Sequence, residues 1–186
     1  MTNLPNLLTL ARIAAIPVIV AMFYLPGDSP RWVACILFVV AALTDYLDGY
    51  LARELGSVSA IGRFLDPIAD KLLVAAVLVM LAAFGGLSAL GVVAAVVILL
   101  REVLVAGLRE HLAEMKVGLP VSQLAKWKTA FQMTALALLL LADAVPDSPN
   151  VRLIGEICLW VAAFLTVITG WDYLRVGLRH MRGAPS

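Results

Sequence analysis

The sequence predicts an all-α integral membrane protein of six transmembrane helices with its active site at the cytoplasmic end of the bundle, and three observations lead there. The 186 residues are 62% hydrophobic with a mean hydropathy of +0.97, far above the apolar share of an ordinary soluble domain. The apolar residues fall into six runs, each near the ~20 residues that a bilayer crossing needs. Of the fourteen Lys and Arg, all but Arg31 and Arg152 fall on or near one side of this arrangement, the bias that marks a cytoplasmic face. An even number of spans puts both termini on that face. No repeat, low-complexity segment or long linker divides the chain, so residues 1–186 read as a single membrane domain.

The first run, about Leu7 to Tyr24, contains Arg12 and has no leading basic region, so it reads as a retained helix rather than a signal peptide. Asn6, Thr9 and Arg12 recur every three residues and form one polar stripe; an Arg at this place also suits snorkelling toward lipid headgroups. Pro, Gly, Asp and Ser between Leu25 and Pro30 give a turn. A second run from Trp32 to Leu43 then delivers Asp45 at its end. After Arg53, the residues ELGSVSAIG form a short connection, and the third run passes Asp66 and Asp70 at its beginning and ends at Phe84. Pro67 fits either a kink or a helix start. Gly85 and Gly86 break the pattern. The fourth run, Leu87 to about Leu108, carries Arg101, Glu102 and Arg109 in its final turns. A polar connection with Glu110, His111, Glu114, Lys116, Lys126 and Lys128 precedes the fifth run, about Ala130 to Val145, and the sixth extends from Leu153 to about Tyr173. Trp127, Trp171 and Tyr173 lie near span ends, where aromatic rings anchor at the interface. Cys35 and Cys158 sit inside apolar runs and read as small buried hydrophobes, with no disulfide framework or zinc site.

The chemistry concentrates between Asp45 and Asp70. Asp45 and Asp48 are three apart and Asp66 and Asp70 four apart, so each pair shares one helix face. Four acids gathered in a poorly solvated place either protonate or hold cations, and oxygen-only ligands select a hard ion, Mg²⁺ or Mn²⁺. Acids at helix ends beside the basic face suit catalysis better than ion transport, which tends to hold its ions near the bilayer midplane. A divalent pair neutralises a diphosphate in phosphoryl transfer, and Arg53, Arg63 and Lys71 suit a phosphorylated substrate. Gly49 and Gly62 remove side chains beside the acids and permit close approach. Phosphate-binding glycine loops, zinc helix motifs and nucleophile elbows are absent. A cation transporter and an intramembrane prenyltransferase remain as alternatives, the latter normally a longer chain with more spans.

The run Asp45-Tyr-Leu-Asp48-Gly49-Tyr-Leu-Ala52-Arg53, followed by Gly62-Arg-Phe-Leu-Asp66-Pro-Ile-Ala-Asp70, resembles the complete signature of the CDP-alcohol phosphotransferase family. The stretches NLPNLLTLAR, REVLVAGLREHLAE and KWKTAFQM look like the bacterial members that make phosphatidylglycerol phosphate, so the resemblance covers most of the chain. It implies transfer of the phosphatidyl group from CDP-diacylglycerol to sn-glycerol 3-phosphate at the bacterial cytoplasmic membrane, with CMP released. By the same resemblance Asp45, Asp48, Asp66 and Asp70 bind two divalent cations, Asp70 is also the general base, and Thr44, Gly49, Ala52, Arg53 and Gly62 shape the CDP pocket. An anionic acceptor needs its own cations, and Arg101, Arg109, Lys126 and Lys128 are placed to hold its phosphate. The same signature serves acceptors such as serine and inositol phosphate. The family further implies a homodimer in contact with membrane lipid, and nothing indicates nucleic acid.

Overall fold

A computed structural model describes the backbone of residues 4–55, 60–114 and 123–181. Six α-helices form among these residues: α1 (Leu4–Tyr24), α2 (Asp28–Leu55), α3 (Ala60–Ala83), α4 (Ala89–Glu114), α5 (Gln123–Ala144) and α6 (Pro149–Met181). Three of them, α1, α4 and α6, are long and apolar enough to cross a membrane by length and composition. The others carry charge along their length: Asp45 and Asp48 on α2, Asp66, Asp70 and Lys71 on α3, Lys126 and Lys128 on α5.

The helices run past the ends of the apolar patterns. α2 continues beyond Leu43 through both of its acids to Leu55. α3 starts at Ala60, so Asp66 and Asp70 lie about two and three turns inside it and Pro67 is an interior residue rather than a start; its missing N–H leaves one intrahelical bond unmade. α4 extends to Glu114, which moves Arg101 and Glu102 from the final turns to the middle of the helix. Lys126 and Lys128 stand on α5, not in a connection.

The turns are built by local chemistry. Gly27 and Gly85 adopt positive φ values of 93° and 75°, a region that glycine enters without steric cost. At the end of α3 the Gly86 N–H donates to the Leu81 carbonyl at 2.8 Å, closing the helix with the 6→1 bond of a Schellman motif. Ser88 caps α4 by accepting the Gly91 N–H at 3.0 Å, and its own N–H and hydroxyl both donate to Glu156, at 2.7 and 2.8 Å. Pro149 opens α6 at the first helical position, where its missing donor costs nothing.

The chain divides into two compact units, Met1–Leu87 with Leu136–Gly155, and Ser88–Ala135 with Glu156–Ser186. In the first, α1 packs against both α2 and α3, and Ile19, Phe23, Phe38, Leu73, Leu78, Leu81 and Leu139 are buried. One end of this unit is fastened by Arg31. Its Nε pairs with Asp143 Oδ2 at 2.9 Å, its Nη1 donates to the Met22 carbonyl at 3.1 Å, and its guanidinium lies over the rings of Phe23 and Phe84. Arg152 approaches the other oxygen of Asp143 at 4.0 Å and donates to the Gly85 carbonyl. In the second unit Ala94, Ile98, Leu112, Leu159 and Ala162 are buried. Between 22% and 28% of each candidate span is buried, and large side chains such as Leu90, Leu100, Val103 and Phe164 point outward, the surface a lipid solvent accepts.

Candidate active site

The polar stripe of α1 meets the acids of both neighbouring helices. Arg12 Nη1 pairs with Asp45 Oδ1 of α2 at 2.7 Å, and the Thr9 hydroxyl donates to Asp66 Oδ1 of α3 at 2.5 Å. Thr9 is 1% exposed and Arg12 2%, so Arg12 does not snorkel: its guanidinium is taken from water and matched with a carboxylate. Asp45 and Asp66 lie close enough to feel each other's charge. Asp70 stands one turn beyond Asp66, partly buried on the same face of α3. Thr44 turns its hydroxyl back to the Ala41 carbonyl at 2.9 Å, and Gly62 is buried on the first turn of α3.

Asp48, Gly49, Ala52 and Arg53 follow Asp45 on α2, but their side chains lie outside the described residues, as does that of Arg63. Among the described residues no three His, Cys, Asp or Glu side chains form a group able to hold a metal, a set from which Asp48 is absent. The donor chemistry that is described fits a hard divalent cation, because Asp45, Asp66 and Asp70 offer carboxylate oxygen alone.

The four expected phosphate-binding cations separate into two kinds, all within the second unit. Arg109 and Lys126 are exposed. Arg101 and Lys128 are drawn inward and share one partner that sequence reasoning did not single out, Glu102. The Lys128 ammonium pairs with Glu102 Oε1, and Arg101 Nη1 approaches the same oxygen at 3.4 Å. Arg101 is further held by α6, donating from Nε to the Thr166 carbonyl at 3.0 Å and from Nη2 to the Thr169 hydroxyl at 2.7 Å. Gly170 makes room for it: a Cβ there would come within 3.0 Å of Arg101 Cγ. Tyr173 lies beneath the guanidinium at 5.9 Å, so it is tied to Arg101 as well as placed near a span end, whereas Trp127 and Trp171 are exposed as interfacial anchors would be. The signal for Glu102 was an acid inside an apolar helix, a placement that requires a partner.

A family model described as CDP-alcohol phosphatidyltransferase matches residues 2–168. The chain is 51% identical over 173 residues to the CDP-diacylglycerol–glycerol-3-phosphate 3-phosphatidyltransferase of Rickettsia bellii, covering 93% of this chain and 94% of that one. It is 42% identical over 185 residues to the enzyme of the same name from Bacillus subtilis, with 93% and 94% covered. The fold is similar to that of the phosphatidylinositol phosphate synthase of Mycobacterium tuberculosis crystallised with manganese and citrate, at a TM-score of 0.58 and 21% identity over 94% of this chain and 80% of that one. With Asp45 and Asp66 of the signature held by side chains of α1 and a family model spanning nearly the whole sequence, the chain belongs to the CDP-alcohol phosphatidyltransferase family.

Proposed function

We propose that this chain transfers the phosphatidyl group of CDP-diacylglycerol to sn-glycerol 3-phosphate, giving phosphatidylglycerol phosphate and CMP. The observation that carries this is the gathering of Asp45 and Asp66, from two helices, onto neighbouring positions of α1. The relatives at 42% and 51% identity named for this reaction support the choice of acceptor. In the reaction the acceptor hydroxyl oxygen attacks the phosphorus that bears diacylglycerol, the bond from that phosphorus to the CMP oxygen breaks, and the electron pair leaves with CMP. Asp70 takes the hydroxyl proton on a carboxylate oxygen. Asp45, Asp48, Asp66 and Asp70 would hold two divalent cations, Mg²⁺ or Mn²⁺, whose chemistry is to neutralise the diphosphate and the departing charge. Thr44, Gly49, Ala52 and Gly62 shape the nucleotide pocket, and Arg53 meets its phosphate. Arg101, Arg109, Lys126 and Lys128 receive the acceptor's phosphate, with Glu102 setting how much charge the two inner cations present.

The setting we propose is one membrane domain of six spans in the bacterial cytoplasmic membrane, both termini and the acids on the cytoplasmic face, assembled as a homodimer. The basic residues on that side support the orientation. The test is CMP release by the purified protein from CDP-diacylglycerol with glycerol 3-phosphate, inositol phosphate, serine or glycerol offered separately. Glycerol 3-phosphate should be used and free glycerol should fail; chelation should abolish release, and Mg²⁺ or Mn²⁺ should restore it. Equal use of serine or glycerol would overturn the acceptor, and full turnover in metal-free buffer would overturn the metal assignment.

A further inference from the structure

α1 holds two buried polar side chains whose partners are both acids of the site. Thr9 and Arg12 are 1% and 2% exposed in a helix that is otherwise apolar enough to cross a bilayer. A guanidinium in such a place is costly unless paired, and its pair is Asp45. Thr9 is not required to neutralise anything, yet its hydroxyl reaches Asp66, 57 residues along the chain. The contacts, a hydrogen bond from Thr9 and an ion pair from Arg12, are each made to Oδ1 of the acid. Fixing one carboxylate oxygen against a donor on a rigid helix fixes rotation of the whole group and directs its other oxygen. The two residues are three apart, so their Cα atoms lie about 4.5 Å apart along the axis of α1 and their side chains leave the same face.

We infer that Thr9 and Arg12 are positioning residues, which hold Asp66 and Asp45 in the orientations that bind divalent cations, so that α1 acts as the template for acids carried by α2 and α3. This rests on the proposal that those acids are metal ligands. Asp45 and Asp66 then enter metal binding already oriented, and α1 contributes to the site without touching substrate.

The test measures Mn²⁺ binding directly, by loss of the free-ion electron paramagnetic resonance signal, with no turnover required. Thr9→Val keeps the shape of the side chain and removes the donor; Thr9→Ser keeps the donor. Loss of an outer-shell partner weakens metal affinity by about 10- to 100-fold, so Thr9→Val should bind Mn²⁺ about tenfold more weakly while Thr9→Ser recovers wild-type binding. Thr9→Val should also lower kcat and leave KM for the acceptor unchanged. Arg12→Lys keeps the charge that Asp45 needs for folding but replaces a planar fork with a point donor, and it should also weaken Mn²⁺ binding and alter the spectrum of the bound ion. Wild-type affinity and spectrum in both Thr9→Val and Arg12→Lys would overturn the inference and leave α1 a packing element. Absence of Mn²⁺ binding by the wild type would instead overturn the metal assignment itself, and the inference with it.

Discussion

Asp70 and Asp66 share a face of α3 one turn apart, yet their proposed tasks differ, and a single substitution separates them. Asp70→Asn keeps the size of the side chain and one ligating oxygen but cannot accept the proton, so turnover should fall by about 10²- to 10⁴-fold, the usual worth of a general base. Binding of CDP-diacylglycerol should change far less, measured by titration under non-turnover conditions; near-normal turnover would assign the proton to another group. Arg12 illustrates what sequence alone leaves open at this scale. In the linear chain a lone Arg in an apolar run is equally suited to headgroups or to a buried acid, and only the packing of α1 on α2 decides for Asp45. Glu102 is the converse case, visible as an anomaly in α4 while its two cationic partners stay hidden: Arg101 is its chain neighbour, but Lys128 arrives from another helix.

At the level of elements, apolar patterning marks where a helix would meet lipid and not where its backbone bonds stop. The pattern Trp32–Leu43 belongs to a helix of 28 residues, and the pattern beginning at Leu153 to one of 33. The extra turns are polar and read as connection in the sequence. The acidic pairs and their spacing were legible because they depend on helical geometry alone, whereas Pro67 was not: the same residue serves at a first turn or within a helix, and the surrounding bonds decide. The helix-end cluster around Asp143 had no sequence signal, since Arg31, Asp143 and Arg152 lie on different helices. Asp143→Asn removes a charge that is largely buried between two guanidinium groups, and charge-assisted hydrogen bonds of this kind contribute about 1.5–3 kcal/mol. The variant should therefore unfold at lower temperature while its Mn²⁺ affinity stays unchanged, which differential scanning and metal titration together can check.

For the whole molecule, outward-facing apolar side chains and a one-sided distribution of basic residues lead to one expected topology. With Cys35 and Cys158 replaced by Ala, a cysteine at Asp147 should react with a membrane-impermeant thiol reagent applied to intact cells, and one at Glu110 only after the membrane is opened; the reverse pattern would invert the orientation. The pairing of Arg12 with Asp45 also bears on how such a chain is made. Helices leave the ribosome in order, and α1 arrives in the membrane carrying a cation that costs about 2.5–3.5 kcal/mol near a helix centre. Its counter-charge is carried by the very next helix, so α1 and α2 together form a neutralised pair. Asp66 follows on α3 and finds Thr9 one turn from a bond already made. Synthesis in this order makes α1 before either of the helices whose acids it holds.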